Sequence, residues 1–168
     1  SWTTFRKEDG LVSDRVGSIL QDKAGVFWFG TVGGISRYDG ETWTTFTTQE
    51  GLAQNRVWTV IEDREGNLWV GTAGGLSRYD GETWRTYTKD DGLVDDRVIS
   101  IAQDETGVFW FGTKGGVSRY DGDTWTTYTT DDGLVENAIN SIIQDLEGKL
   151  WFATRRGVSC YDGAAWTT

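Results

Sequence analysis

A tryptophan-centred apolar strand recurs through this chain at Trp28, Trp69, Trp110 and Trp151, each 41 residues after the last. A second series (Trp2, Trp43, Trp84, Trp125 and Trp166) keeps the same step. Between them lie short β-branched runs punctuated by Asp-Gly and Gly-Gly pairs, in a chain of 168 residues with 23 Gly and no Pro. A fixed period of this length marks a repeat architecture. These three observations predict an all-β fold: a β-propeller of four-stranded antiparallel blades, with four 41-residue repeats in the chain.

Each repeat reads as strands a to d. Strand a (Val16–Asp22, then Val57–Asp63, Val98–Asp104 and Ile139–Asp145) ends in an Asp-x-x-Gly turn such as Asp22/Gly25. Asp favours the first position of a type I turn, and Gly supplies the positive φ that closes the hairpin. Strand b, Val26–Thr31, places Phe27, Trp28 and Phe29 side by side, so both of its faces must be covered. Strand c, Gly34–Tyr38, follows a glycine turn and runs into the hairpin pair Asp39-Gly40. Strand d, Trp43–Thr47, is rich in Thr and suits a half-exposed outer edge. A polar connection such as Glu50–Arg56 leads to the next strand a.

Sheets that each need cover on both faces stack around an axis, whereas a flat row would leave both end sheets bare. The glycine density and the lack of helical periodicity exclude an α-helical repeat. The expected unit is therefore residues 1–168, with blades near 6–46, 47–87, 88–128 and 129–168. Ser1–Phe5 reads as an additional outer strand that completes the final blade and locks the ring. For the ring itself the expectation is a dimer: two chains pairing head to tail into eight blades, a heterologous contact that closes after two copies. A closed four-bladed monomer and an open part of a larger ring are the alternatives.

The run Leu52–Gly81 carries Leu-x-x-Asn-x-Val-x-x-Ile-x-x-Asp-x-x-Gly-x-Leu-Trp-x-Gly-Thr followed by Gly-Leu-Ser-Arg-Tyr-Asp-Gly. It resembles the two-component regulator propeller repeat, and the resemblance extends over all four repeats. It implies a propeller in the sensing ectodomain of a bacterial regulator, often a hybrid histidine kinase that detects oligosaccharides, and hence a periplasmic or extracellular location. Nothing in the chain resembles the kinase, DNA-binding or membrane-spanning parts of such proteins. Ser36–Trp43 is similar to the Asp-box hairpin of sialidase propellers, with its Asp displaced to sit directly before the Gly, and supports the turn rather than sialidase chemistry.

Charge and composition narrow the function classes. A net charge of −10 and a pI near 4.4 argue against nucleic acid and anionic membranes as partners. No apolar run approaches the roughly 18 residues of a membrane span, and no signal-peptide pattern opens the chain. The absence of Met, even at position 1, reads as an excised or processed piece. Without His, and with Cys160 as the single cysteine, Ser-His-Asp and Cys-His chemistry and His-based zinc sites have no residues to use. The connections lack the ligand spacing of a calcium loop, so neither a metal nor a cofactor is expected. Cys160 stands where the other repeats have Arg37, Arg78 and Arg119, and reads as a neutral strand substitution.

Positions kept in every repeat read as blade structure, so binding is sought where the repeats differ. Gly17, Trp58, Ile99 and Asn140 are equivalent, as are Val32, Ala73, Lys114 and Arg155, with Arg156 next door. Propeller topology places the d–a and b–c connections on one face. Trp58, Asn140, Lys114, Arg155 and Arg156 are thus expected around one mouth, as candidates for binding a neutral or anionic sugar. Arg15, Arg56 and Arg97 precede strand a beside Asp14, Asn55 and Asp96, and are expected to form repeated ion pairs or hydrogen bonds there. Arg56 and Arg97 also count as candidate ligands for a carboxylate or sulfate at the mouth. The Trp43 series reads as a ring packed over its own hairpin, with a sugar-stacking platform as the functional alternative.

The leading functional expectation is a non-enzymatic ligand-binding or scaffold module that senses an oligosaccharide. The alternatives are a glycan-cleaving propeller using paired carboxylates about 5–10 Å apart, and an amplified repeat with no evolved site.

Overall fold

The computed structural model describes residues 1–168, arranged as four antiparallel four-stranded sheets in chain order. Blade one comprises β1 (Val16–Gln21), β2 (Phe27–Thr31), β3 (Ile35–Tyr38) and β4 (Trp43–Phe46). Blade two comprises β5 (Val57–Glu62), β6 (Leu68–Thr72), β7 (Gly75–Tyr79) and β8 (Trp84–Tyr87). Blade three comprises β9 (Val98–Gln103), β10 (Phe109–Thr113), β11 (Val117–Tyr120) and β12 (Trp125–Tyr128). Blade four comprises β13 (Ser141–Gln144), β14 (Leu150–Ala153), β15 (Val158–Tyr161) and the short β16 (Trp166–Thr167). The first strands β1, β5, β9 and β13 approach one another successively and so line the inside of the stack.

Each interface between blades is a dry aromatic layer, because consecutive bulky residues on strand b point to opposite faces. Trp28 packs with Ile35 against Val57, Val60, Leu68 and Val70 of blade two. Trp69 meets Phe109 and Phe111, and Trp110 meets Ile139, Ile142 and Phe152. Strand d adds a stacked partner within each of the first three blades: Phe46 on Trp28 at 5.8 Å, Tyr87 on Trp69 at 5.7 Å and Tyr128 on Trp110 at 6.0 Å.

The turn carboxylate after strand a does more than start a turn. In blade one Asp22 Oδ1 accepts the Ala24 and Val26 amides while Oδ2 accepts the Trp28 indole N–H at 2.8 Å. Asp63, Asp104 and Asp145 hold Trp69, Trp110 and Trp151 in the same way, at 2.8, 2.8 and 2.7 Å. A buried indole N–H needs such an acceptor. Burial pushes the Asp63 and Asp104 carboxyls upward, but hydrogen bonds from Asn67 and Trp69, and from Thr106 and Trp110, outweigh it and hold both below the ordinary range.

Short 3-10 turns (Lys7–Asp9, Lys89–Asp91 and Thr130–Asp132) open three of the connections leading into strand a, and each is followed by a glycine at positive φ. Gly92, at φ 122, lies flat against the Trp125 ring, where a Cβ would overlap it. The strand-d tryptophans are therefore half-buried between their hairpin and the connection from the preceding blade, as the structural reading of the Trp43 series expects. Trp43 stacks on Tyr38 at 4.5 Å.

The four blades form an open arc. Blades one and four do not pack on each other, so a closed four-bladed ring is not the arrangement of this chain. Ser1–Phe5 does not complete the final blade within the chain, because β16 already pairs with β15 there. That segment is extended but belongs to no sheet.

Candidate functional site at the mouth of the arc

The d–a connections and b–c turns share one face, tied together by backbone hydrogen bonds. Val32, Ala73 and Lys114 donate to the carbonyls of Arg15, Arg56 and Arg97. Beside these ties the pairing register of strand a slips by one residue: Val16 opposes Thr31 and Ser18 opposes Gly30, which leaves Gly17 as a bulge. Trp58 is bulged between Val57 and Thr59, and Ile99 between Val98 and Ser100. A bulged residue is released from the in–out alternation of its strand and can be re-aimed. Blade contacts therefore do not dictate these side chains, which accounts for their variation from repeat to repeat.

Three blades contribute to a cleft of about 390 Å³ on this face. Trp58 comes from blade two, Arg97 and Lys114 from blade three, and Asn140 and Arg155 from blade four, with Glu136 between them. Five of the seven sequence candidates thus converge. Trp58 is 38% exposed, unusual for a large aromatic side chain. Arg56 lies over its ring, 5.1 Å from the centroid, and helps fix the indole plane. Arg56 itself lines the adjoining cleft of about 220 Å³ between blades one and two, together with Arg15 and Gly17. Arg156 stands outside both clefts, with its Nε 4.0 Å from Glu136 Oε1.

The expected pairing of Arg15, Arg56 and Arg97 with Asp14, Asn55 and Asp96 does not occur. Those carboxylate and amide oxygens instead accept the backbone N–H groups of Lys7, Thr48 and Lys89, and so fasten the connections. The backbone offers these short side chains fixed donors seven residues away, which a mobile guanidinium does not match. None of the three Arg takes part in a salt bridge, so Arg56 and Arg97 keep their charge available at the mouth.

Glu136 is the one carboxylate of the cleft, and its Oε2 accepts the Arg155 amide at 3.0 Å. Three cationic side chains against one carboxylate give the cleft a positive balance on a chain of net charge −10. A flat indole face, an amide that both donates and accepts, and several guanidinium or ammonium donors suit a polar ring compound with hydroxyl or acidic substituents. The sequence did not reveal the bulge or the role of Glu136. The one available signal for the bulge was a variable position inside an otherwise repeating strand.

Against known proteins, a sequence profile of the two component regulator propeller family matches residues 10–33, 51–74 and 92–115. The matches fall on consecutive repeats, in register with the blades just described. Three of the four repeats are two component regulator propeller repeats. Among curated proteins nothing matches. Among solved structures, the chain is similar to the extracellular domain of the hybrid two component system BT3049 from B. thetaiotaomicron, at 23% identity and a TM-score of 0.88. That match covers 97% of this chain and 24% of the other. Virginiamycin B lyase from Staphylococcus aureus is similar at 16% identity and a TM-score of 0.72, over 91% of this chain and 54% of that one. PorZ, a surface component of the type-IX secretion system of Porphyromonas gingivalis, is similar at 17% identity and a TM-score of 0.71, over 94% and 28%. At these identities the likeness establishes the fold. This regulator propeller spans about a quarter of the length of the first of these structures and about half of the lyase. No helix is long and apolar enough to cross a membrane.

Proposed function

We propose that this regulator propeller is a non-enzymatic binding module whose d–a and b–c face takes an oligosaccharide, preferentially one bearing carboxylate or sulfate groups. The observation that carries this reading is the convergence of Trp58, Arg97, Lys114, Asn140 and Arg155 on one cleft. The indole supplies an apolar platform for a pyranose face, Asn140 hydrogen-bonds hydroxyls, and the three cations pair with acidic substituents. The extracellular setting of the BT3049 domain supports a periplasmic or extracellular sensing role for this chain. Glycan cleavage needs two carboxyl groups facing the scissile bond, and the cleft offers Glu136 alone. The lyase neighbour is a reminder that the fold also hosts enzymes, so the site and not the fold supports the binding reading.

Titration of the 168-residue chain with neutral, uronic-acid and sulfated oligosaccharides, followed by tryptophan fluorescence and calorimetry, tests the reading. Saturable binding that favours acidic sugars, and that is lost in Trp58→Ala and weakened in Lys114→Ala, is the expected result. Binding unaffected by Trp58→Ala, no binding across the set, or shortened glycan products would overturn it.

A further inference from the structure

The large apolar side chains left exposed are not scattered. Val16, Ile19 and Phe27 lie on the outward face of blade one, and Ile143, Leu146, Trp151 and Val158 on the outward face of blade four. Trp2 and Phe5 belong to the N-terminal segment, and Trp58 belongs to the mouth. Val16, Ile19, Phe27, Trp151 and Val158 are each buried in their inner equivalents, and those of Ile143 are half-buried. Ile19 is 65% exposed, whereas Val60, Ile101 and Ile142 are 4, 7 and 6% exposed. The two bare faces are thus the two halves of one interface that the chain already builds three times.

Phe5 carries the argument from bare faces to a specific occupant. It packs on Tyr38 and Trp43 at 5.6 and 5.7 Å, as Phe46 packs on Tyr79 and Trp84 at 5.6 Å each. Phe46, however, sits in the outer strand of the preceding blade, while Phe5 sits in no sheet. Phe5 therefore marks where the outer strand of a blade preceding blade one would run. At the other end, Trp151 is the one strand-b tryptophan with no strand-d aromatic stacked on it, and the inner pairings place that aromatic opposite Val158.

We propose that two copies of this chain close head to tail into an eight-bladed ring, with Ser1–Phe5 of each copy completing blade four of the other. In this junction Phe5 lies opposite Val158 of the second copy and over its Trp151. Thr3 pairs with Cys160, and Trp2 with Tyr161, taking the places now held by Thr167 and Trp166. Ser1–Phe5 repeats the Trp-Thr-Thr of Trp166–Thr168 and adds Phe5, the aromatic residue that the interface needs opposite Val158.

The inner junctions also fix the polar contacts. The amides of Lys23, Arg64 and Glu105 each donate to the Glu62, Gln103 and Gln144 side chains of the next blade. By the same step the Leu146 amide donates to Gln21 of the second copy, whose Nε2 already donates to Gly25 and leaves its Oε1 to accept. Ser141 Oγ accepts the Ile19 amide of the second copy, as Ser18 and Ser100 accept those of Val60 and Ile142. Two identical junctions related by a two-fold axis satisfy both bare faces, and eight blades fall within the usual range for propellers.

Light scattering on the purified chain at micromolar concentration is the first test, with twice the 18.8 kDa chain mass expected. Ile19→Asp alters a residue exposed in the single copy and should leave far-ultraviolet circular dichroism unchanged while halving the mass. Thr3→Cys, oxidised, should form disulfides with Cys160 of the second copy and run as a covalent dimer without reductant. A species of one chain mass, a mass that climbs without limit as filaments form, or a dimer indifferent to Ile19→Asp overturns the ring. A wild-type dimer in which Thr3→Cys never cross-links overturns the strand exchange.

Discussion

Trp110 and Trp151 occupy the same position of strand b one repeat apart, and each indole donates to the carboxylate six residues upstream. Yet Trp110 is 3% exposed and Trp151 is 39% exposed. The difference lies wholly in what stands beside the blade. Trp110 has Ile139, Ile142 and Phe152 across the interface and Tyr128 stacked on it, and Trp151 has neither kind of neighbour within the chain. In a propeller the local sequence makes a blade, and the next blade makes the core.

The sharpest way to break that comparison is to truncate both rings. Trp110→Ala should cost roughly 3–5 kcal/mol in chemical denaturation. Trp151→Ala, measured on the Ile19→Asp background that keeps the chain single, should cost no more than about 2 kcal/mol. Equal losses would mean that the strand-b tryptophan stabilises its own blade rather than the interface. Next in size is the carboxylate staple. Asp104→Ala leaves a buried indole N–H without its acceptor, an expected loss of about 1–3 kcal/mol, whereas Asp145→Ala should cost below about 1 kcal/mol because water reaches Trp151. A reversed order would remove the staple from the account of the core.

Acid titration sharpens the comparison between turns and core. The amides of Thr83 and Glu82, with the Thr83 hydroxyl, lower the Asp80 carboxyl from its ordinary 3.8 to about 2. Equivalent contacts from Thr42 and Thr124 lower Asp39 and Asp121. A carboxyl depressed in the folded state stabilises the fold above its unfolded value, and that contribution is lost as pH falls through the folded value. Melting temperature should therefore hold steady down to about pH 4 and fall steeply between there and pH 2. A flat profile across that window would show that the hairpin carboxylates do not govern acid stability. The smallest stability effect is expected at the mouth. Trp58→Ala should shift unfolding by no more than about 0.5 kcal/mol, since the ring projects from a bulge into solvent. A loss as large as that of Trp110→Ala would make Trp58 part of the core and remove it from the binding face.

Much of the architecture was legible from residue patterns. Trp28-type strands flanked by bulky neighbours demanded cover on two faces, and the Asp-Gly pairs placed every c–d hairpin. The mouth was legible only in part. Internal variation pointed to Trp58, Lys114, Asn140 and Arg155, and these do share a cleft. Arg156, grouped with them, meets Glu136 from the edge of that cleft. The ion pairs or hydrogen bonds expected at Arg15, Arg56 and Arg97 give way to Asp14, Asn55 and Asp96 holding backbone amides seven residues back. Which of several nearby donors a short carboxylate accepts depends on loop geometry that spacing does not encode.

By itself the sequence determined the repeat, the blade and the alternation of kept and varied positions, because these follow from a period and from which faces are apolar. Only the tertiary structure decided that the four blades leave an arc open, that Gly17, Trp58 and Ile99 are bulged toward the mouth, and that Phe5 sits on blade one without a sheet of its own. These outcomes depend on the wedge between sheets and on one-residue slips of register. Both are set by packing between segments about 41 residues apart, beyond the reach of any local pattern.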